Sequence, residues 1–137
     1  MANLNAPINI YPYSSWYLQQ RSVYNFNTTN GSGNYIHFKT NIHGSTDSMY
    51  MIEAVGYNYS SAAPIRCAWG FYCYNGALYT TGVANIYSGM SADGMYMSSD
   101  NYVTIRTYSG TYFIGFTLNV YACRLDTTHY NVTPLAV

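Results

Sequence analysis

Charged side chains are scarce in this sequence. Of its 137 residues, five are lysine or arginine and five are aspartate or glutamate, so the charged fraction is 7% and the net charge is zero. An ordinary soluble domain has about a quarter of its residues charged. Nucleic acids and anionic membrane surfaces are bound through basic patches, which five cationic side chains spread along the chain do not supply. We therefore predict neither kind of partner.

Long apolar runs and a leader sequence are also lacking. No stretch of 18 apolar residues occurs, so no membrane-spanning helix is predicted. The first residues, from Met1 to Pro7, contain neither the basic start nor the apolar centre of a signal peptide. We expect the chain to be made in a cytoplasm, and its length predicts a single globular domain as the main unit.

Cysteine is rare, and motifs for metals or cofactors are missing. The three cysteines are odd in number and too few for a disulfide framework. Cys67 and Cys73 would share one face of a straight strand but lie about 20 Å apart, so we expect free, buried thiols. No His-x-His pair, phosphate loop or dinucleotide fingerprint is present, and we predict no metal and no cofactor.

The few titratable groups give little support to catalysis. Glu53 lies inside an apolar strand, where an unpaired carboxylate is costly. It is either a structural charge paired with Arg66 or Arg106, which we favour, or an acid tuned by its surroundings. Nothing in the sequence selects a cysteine and a histidine as a nucleophilic pair. The five acids form no motif for glycoside hydrolysis, so we predict that the chain is not an enzyme.

Tyrosine, in contrast, is abundant, with 18 residues. Its ring and hydroxyl suit contact surfaces, because they add area and a hydrogen bond at little cost in rotamer entropy. Sugar rings also stack on aromatic rings, and six tyrosines near predicted strand ends or turns are candidate glycan contacts: Tyr57, Tyr59, Tyr72, Tyr74, Tyr96 and Tyr108. The alternative, which we favour for any single one, is that it fills a subunit interface or covers the domain's own sheet.

Strand patterns dominate the remainder of the chain. Apolar and polar residues alternate in four segments: Tyr35–Asn41, Arg66–Tyr74, Tyr102–Tyr108 and Thr111–Val120. A fifth segment, Met49–Tyr57, is nearly continuous in apolar character, as expected for a strand buried on both faces. Short strands separated by glycine and asparagine turns predict an all-β antiparallel sandwich that is jelly-roll-like. The alternation places ten side chains in its core: Ile36, Phe38, Ile52, Trp69, Phe71, Val103, Ile105, Ile114, Phe116 and Leu118.

Turn residues divide the chain between these strands. Turns are predicted at residues 30–33, 43–45, 75–76, 93–94 and 109–110, and the last could close a tight hairpin between its flanking strands. Residues 1–33 contain two prolines and alternate poorly. We predict an N-terminal arm over 1–33, docked on a neighbour or on its own sheet, and a β-sandwich domain over 34–137.

Five segments in this order carry a resemblance to a known group. They read NYIHFKTNI, MYMIEAVGYNY, CAWGFY, MSSDNYVTIR and YFIGFTLN, and they begin at Asn34, Met49, Cys67, Met97 and Tyr112. The sequence resembles a domain of virion surface proteins of aquatic, especially marine, bacteriophages, often the C-terminal part of tail-fibre-like proteins. The resemblance covers roughly residues 34–120, and its more specific parts are His37–Asn41 and Gly56–Tyr59.

The resemblance implies a structural component of the virion exterior. This could be a tail fibre or appendage, or a capsid decoration protein, assembling as a homotrimer and contacting the host surface. A long shaft usually precedes such a domain, whereas here about 30 residues do. Pro7, Tyr11, Tyr13, Trp16 and Tyr17 then become candidates for docking to other virion proteins. The alternative hypothesis is a lectin-like module that binds a host cell-surface glycan through loop tyrosines.

Overall fold

The computed structural model describes residues 18–28, 34–109, 113–123 and 130–136. These residues form nine strands: β1 (Leu18–Thr28), β2 (Asn34–His43), β3 (Ser48–Asn58), β4 (Ala63–Tyr74), β5 (Ala77–Asn85), β6 (Ser91–Met97), β7 (Tyr102–Ser109), β8 (Ile114–Ala122) and β9 (Val132–Ala136). Within the described ranges, no helix is long and apolar enough to cross a membrane.

The strands form two antiparallel sheets. The five-stranded sheet has the order β1-β8-β3-β4-β5, and the four-stranded sheet has the order β6-β7-β2-β9. Every paired strand is antiparallel to its neighbour. The chain changes sheet repeatedly, so that β1 lies beside β8 and β2 beside β7, as expected of a jelly-roll-like sandwich. The predicted fold class is confirmed.

The core lies between the two sheets and follows from the alternation of the strands. On β8, for example, every second residue from Ile114 to Ala122 is buried. All ten side chains predicted for the core are buried, each 4% exposed or less: Ile36, Phe38, Ile52, Trp69, Phe71, Val103, Ile105, Ile114, Phe116 and Leu118. The core prediction is confirmed because the buried face of each strand has a period of two.

Two contacts join the sheets across this core. The rings of Phe38 and Phe116 meet edge to face, with centroids 5.7 Å apart. The Trp69 indole Nε1 donates a hydrogen bond to the backbone carbonyl of Arg106 at 3.0 Å. Trp69 is fully buried, so this bond satisfies its only polar atom and fixes the alignment of the sheets.

The sequence prediction for β3 is wrong in one respect. The segment Met49–Tyr57 was expected to be buried on both faces, but β3 has one buried side and one open side. Met49, Met51, Val55 and Tyr57 lie on the open side and are 39% to 51% exposed. The strand occupies the centre of its sheet, yet the described residues cover only one face of that sheet.

Two turn predictions are wrong and two are confirmed. Ser109-Gly110 does not close a hairpin, because β7 and β8 belong to different sheets and the chain crosses between them. Asp93-Gly94 lies inside β6, at an irregularity in its pairing with β7. The turns at residues 43–45 and 75–76 occur as predicted, the second with positive φ at both Asn75 and Gly76.

Part of the predicted arm is a strand. Residues 18–28 form β1, which pairs with β8 at one edge of the five-stranded sheet. The division at residue 33 stays a prediction. Residues 1–17 and 29–33 lie outside the described residues, and so do all the docking candidates in the arm: Pro7, Tyr11, Tyr13, Trp16 and Tyr17.

Candidate contact surfaces

The outer face of the five-stranded sheet carries a set of exposed apolar side chains. We call it the apolar face and define it by seven residues on β3, β4 and β5: Met49, Met51, Val55, Tyr57, Tyr72, Tyr74 and Tyr79. Six of them are 39% to 51% exposed, and Tyr72 is partly buried. The outer face of an antiparallel sheet is usually polar, so this composition makes the apolar face a candidate contact surface.

Strand register makes the apolar face continuous. Met49 lies opposite Tyr72, which lies opposite Tyr79, so three neighbouring strands contribute one row. In the next row Met51 is followed by Gly70 and Gly82. A Cβ atom added to Gly82 would meet nothing within 4 Å. The two glycines therefore form a shallow trough in which another surface can approach the backbone closely.

The tyrosines at one end of this face form a platform. The rings of Tyr72 and Tyr74 are nearly parallel, with an interplanar angle of 12° and centroids 6.0 Å apart. Tyr79 lies against Tyr74 with centroids 6.2 Å apart and a tilt of 60°. The platform offers aromatic surface to a flat apolar ligand or to another protein.

One ion pair lies in the middle of the apolar face. Arg66 Nε donates to Glu53 Oε1 at 2.9 Å, and the Tyr121 hydroxyl donates to Glu53 Oε2 at 3.0 Å. Glu53 is 9% exposed. The hydrogen bond and negative charge of Glu53 raise the pKa of Arg66 above its usual value. The predicted pairing of Glu53 with Arg66 is confirmed, and the pair adds no net charge to the face.

A second aromatic cluster lies at the end of the sandwich where β3 finishes. Tyr59 is 66% exposed and its ring packs on Phe113, with centroids 6.0 Å apart. Phe113 has a φ of 62°, an uncommon conformation for an aromatic residue. The Tyr59 amide donates to the Phe113 carbonyl at 3.0 Å and holds the two loops together. We call this pair the aromatic tip.

The outer face of the four-stranded sheet is aromatic but polar. We call it the polar face and define it by seven residues: Tyr35, His37, Lys39, Tyr96, Tyr102, Arg106 and Tyr108. Here Lys39 pairs with Asp100 and Arg106 pairs with Asp93. The Arg106 guanidinium also lies 4.8 Å from the centroid of the Tyr35 ring. Hydrogen bonds from Lys39 and Ser98 lower the pKa of Asp100.

A cleft opens at one end of the polar face. It has a volume of about 230 Å³ and is lined by Lys39, Thr40, Asn41, Tyr102, Asn131 and Thr133. The backbone N–H of Asn131 donates to Asn41 Oδ1 at 2.9 Å, and the Lys39 ammonium lies 5.3 Å from the centroid of the Tyr102 ring. These contacts fix an aromatic wall beside hydroxyl and amide groups, which is chemistry suited to a sugar ring.

The six candidate tyrosines do not form one site. Three of them, Tyr57, Tyr72 and Tyr74, belong to the apolar face, and Tyr59 belongs to the aromatic tip. Tyr96 and Tyr108 lie on the polar face, where Tyr96 bonds to His37 Nδ1 at 2.9 Å and Tyr108 packs on Tyr35. A glycan role for any of these tyrosines stays a prediction.

The cysteines are placed as expected for inert thiols. Cys67 and Cys73 are free and buried, and Cys123 is free and partly buried. Burial raises the pKa of Cys67 to about 12 and that of Cys73 to about 11. Both thiols are therefore protonated at neutral pH and unsuited to nucleophilic attack. Among the described residues, no three His, Cys, Asp or Glu side chains are grouped to hold a metal ion.

Sequence reasoning missed several residues of these surfaces. Met49, Met51 and Val55 were assigned to a strand buried on both faces, and Tyr79 lies on β5, a strand that was not predicted. Phe113 was not singled out. A usable signal was present for the first three, because they share the odd-numbered phase of β3 with Glu53, whose charge argues for an outward direction.

No protein-family model matches the sequence, and no curated protein matches it. Among solved structures, the chain is similar to the crystal structure of the Acinetobacter phage vB_ApiP_P1 tailspike protein, with a TM-score of 0.43 and 17% sequence identity. This similarity covers 97% of the present chain and 25% of the tailspike chain, so the present chain spans about a quarter of that protein's length. At this TM-score and identity the similarity does not decide function.

Proposed function

We propose that this chain is a structural component of a phage virion exterior, in a tail fibre, an appendage or a capsid decoration. It assembles as a homotrimer, and it contacts the host surface. The single observation that carries this proposal is the exposed apolar face on β3, β4 and β5. The resemblance of residues 34–120 to phage surface domains supplies the biological setting, which is a protein made in the host cytoplasm and carried on the virion.

The apolar face supports a contact-making role because the chain has no net charge that would keep such a surface in solution. Six of its side chains are 39% to 51% exposed, while the net charge of the chain is zero. Net charge opposes association, and a neutral protein with an open apolar surface tends to associate. A surface of this kind is stable in water when other protein covers it.

The charged groups support a structural role over a catalytic one. Glu53 is paired with Arg66, Asp93 with Arg106 and Asp100 with Lys39. Each of these carboxylates is thus engaged in holding strands or turns together. We therefore propose a mechanical and adhesive function without enzymatic activity. In this proposal residues 1–17 dock on other virion proteins.

Two measurements test the proposal. Light scattering on the full chain should give three times the 15.4 kDa of one chain, and peptides of the chain should be found in purified, intact phage particles. Deleting residues 1–17 keeps β1, and the shortened chain should still form trimers if the sandwich carries assembly. A monomer at micromolar concentration, or absence of the chain from particles, would contradict the proposal.

A second candidate function is a glycan-binding module, and the cleft on the polar face favours it. The cleft of about 230 Å³ combines the Tyr102 ring with amide and hydroxyl groups of Asn131 and Thr133. Adding neutral methyl glycosides to labelled protein and recording amide shifts by NMR would test this candidate. Asn131→Ala should weaken binding in the cleft, while Tyr74→Ala should leave it unchanged. Binding lost only with Tyr74→Ala would move the sugar site to the tyrosine platform.

A further inference from the structure

We infer that the apolar face is the surface through which copies of this chain pack on one another, with the faces of all copies meeting at a shared axis. The inference rests on the proposed homotrimer and names the contact that forms it. A second copy is the occupant, in preference to a different protein or a glycan. Four observations support it: the composition of β3, the extent of the face, its neutrality and the little protection of its edge strand.

The composition of β3 is that of a strand covered on both sides. Its inward residues, such as Tyr50 and Ile52, are buried in the core, and its outward residues Met49, Met51 and Val55 are apolar as well. A strand with one side in water normally alternates apolar with polar residues. The sequence of β3 therefore fits an assembly in which a neighbouring copy covers the side that the described residues leave open.

The extent of the face suits the centre of a stable interface. From Met49 to Tyr57 it runs about 26 Å along β3, and the three strands β3, β4 and β5 span about 14 Å, giving a projected area of roughly 360 Å². Protruding side chains and the adjacent aromatic tip enlarge the accessible area. A standard interface buries about 800 Å² on each partner around a smaller apolar centre. The face supplies such a centre, and its surroundings supply the rim.

Neutrality favours a second copy over a charged partner. The apolar face contains the Glu53–Arg66 pair and no other charged side chain among the described residues of β3, β4 and β5. Two such faces meet without repulsion, whereas an acidic or basic partner would find no complementary charge. The trough at Gly70 and Gly82 gives a projecting tyrosine ring of the neighbouring copy room to reach the backbone.

The edge strand of this face, β5, has little of the usual protection. β5 reads ALYTTGVAN, without a charged residue or a proline, and its residues from Tyr79 to Asn85 are all exposed. Edge strands normally carry lysine, proline or inward charges that prevent pairing with other chains. Its one irregularity is a shift in pairing between Gly70 and Tyr72, accompanied by a positive φ at Thr80. A neighbouring copy that covers this edge would prevent further chains from pairing with it.

These features fit three copies arranged around a threefold axis. Each apolar face points towards the axis, and the β5 side of one face meets the β3 side of the next. Rotational symmetry closes the ring, so no apolar face remains open and no further copies are added. The polar face of each copy, on the other side of the sandwich, then points outward.

The test introduces a charge on each side of the sandwich. Met51→Glu places a carboxylate in the centre of the apolar face beside Glu53, where Met51 is 39% exposed. The matched control is Leu135→Glu on β9 of the other sheet, where the side chain is 50% exposed. Light scattering at micromolar concentration should give a threefold lower mass for Met51→Glu and the wild-type mass for Leu135→Glu. Circular dichroism verifies that each variant is folded.

A measurement on the wild-type chain avoids any failure of the variant to fold. Met49 and Met51 are 46% and 39% exposed in a single chain, so hydrogen peroxide should oxidise both readily if the face is open. In the assembled protein we expect their oxidation, followed by peptide mass spectrometry, to be about tenfold slower than in urea-unfolded chain. Equal rates in the two states would overturn the inference.

The outcomes separate this inference from the proposed function. A wild-type chain that is monomeric contradicts both. A wild-type trimer that persists in folded Met51→Glu, with Met49 and Met51 oxidising at the unfolded rate, overturns the assigned surface and leaves the trimer standing. Loss of assembly in Leu135→Glu but not in Met51→Glu would transfer the contact to the four-stranded sheet. Loss in Met51→Glu alone, with protected methionines, supports the inference.

Discussion

The apolar face and the polar face, as defined above, each include four tyrosines, but they differ in the side chains that surround these rings. On the polar face the rings are held by side-chain contacts, such as Tyr96 with His37 and Arg106 with Tyr35. On the apolar face Met49, Met51 and Val55 surround the tyrosines, and one central ion pair carries the only charges among the described residues of β3, β4 and β5. Tyrosines with similar exposed fractions therefore lie among polar and charged groups on one side and among apolar side chains on the other.

An exposed tyrosine alone therefore does not identify a contact surface. A tyrosine set among ion pairs keeps its ring partly covered and its hydroxyl bonded, so it is stable next to water. A tyrosine set among methionine and valine adds to a continuous apolar area, which water solvates poorly. The neighbouring side chains, more than the ring, separate the face that we expect to be covered from the face that we expect to remain open.

The largest effect should come from the core that both faces share. Phe116 is 4% exposed and packs edge to face on Phe38 of the opposite sheet. Phe116→Ala should lower the free energy of unfolding by about 3–5 kcal/mol, because it leaves a cavity between the sheets. Urea unfolding measures the loss, with Tyr108→Ala on the polar face as a control of less than about 1 kcal/mol. A loss below about 1 kcal/mol for Phe116→Ala would show that the two sheets are not coupled through this core.

The next effect separates the two buried thiols of β4 from a partly exposed thiol after β8. Its inward thiols Cys67 and Cys73 are buried with raised pKa values, whereas Cys123, after β8, is partly exposed. At pH 8 an aromatic disulfide reagent should label Cys123 about a hundredfold faster than the other two, because thiolate and access are both required. Rapid labelling of Cys67 would contradict the burial of that side.

The same thiols predict a pH dependence of stability. Their folded pKa values, about 12 for Cys67 and about 11 for Cys73, lie above the unfolded value. A group with a raised folded pKa contributes its full stability below the unfolded pKa and loses it as the pH rises towards the folded value. We expect the free energy of unfolding to fall between about pH 9 and pH 12, and Cys67→Ala should reduce that fall. An unchanged pH profile in Cys67→Ala would argue against the thiol as its source.

The sequence allowed the core to be predicted but not the identity of the faces. Alternation with a period of two is a local property, so Ile36, Trp69 and Phe116 could be assigned to the interior without knowing which strands pair. Pairing is not local: β8 lies between β1 and β3, which are far away in the sequence. The hairpin expected at Ser109-Gly110 failed for this reason, since short-range turn chemistry does not say whether the chain stays in its sheet.

The candidate site was predictable in residue type but not in arrangement. Tyrosine enrichment predicted contact surfaces, yet the six tyrosines chosen by their proximity to turns lie at three separate places. Met51, Gly70 and Gly82 form one row only because β3, β4 and β5 pair in a particular register. A register difference of one residue would exchange the two sides of a strand. The apolar face therefore became visible only with the strand pairing.

A matched pair of substitutions compares the environments of two tyrosine hydroxyls, one on the outer side of each sheet. The Tyr121 hydroxyl donates to the nearly buried Glu53 carboxylate, and the Tyr96 hydroxyl bonds to the more exposed His37. Tyr121→Phe should lower the free energy of unfolding by about 1–2 kcal/mol, because a carboxylate shielded from water loses a donor. Tyr96→Phe should cost less than about 0.5 kcal/mol, since water replaces the lost contact. Urea unfolding of both variants measures the difference, and the reverse order would contradict the assigned environments.

The smallest expected effect concerns the mass of the assembly at different salt concentrations, which we expect to stay constant. This measurement distinguishes contacts through the apolar face from contacts through the polar face. Raising the ionic strength from about 0.01 M to about 1 M shortens the screening length from about 30 Å to about 3 Å. Contacts through Lys39, Asp100, Arg106 and Asp93 on the polar face would weaken over this range, because all four side chains are partly exposed. Contacts through the apolar face should persist, since burial of methionine and tyrosine does not depend on unscreened charge. The mass measured by light scattering should therefore stay constant across the salt series. Dissociation at high salt would mean that the polar face carries the assembly, and the apolar face would then need a different partner.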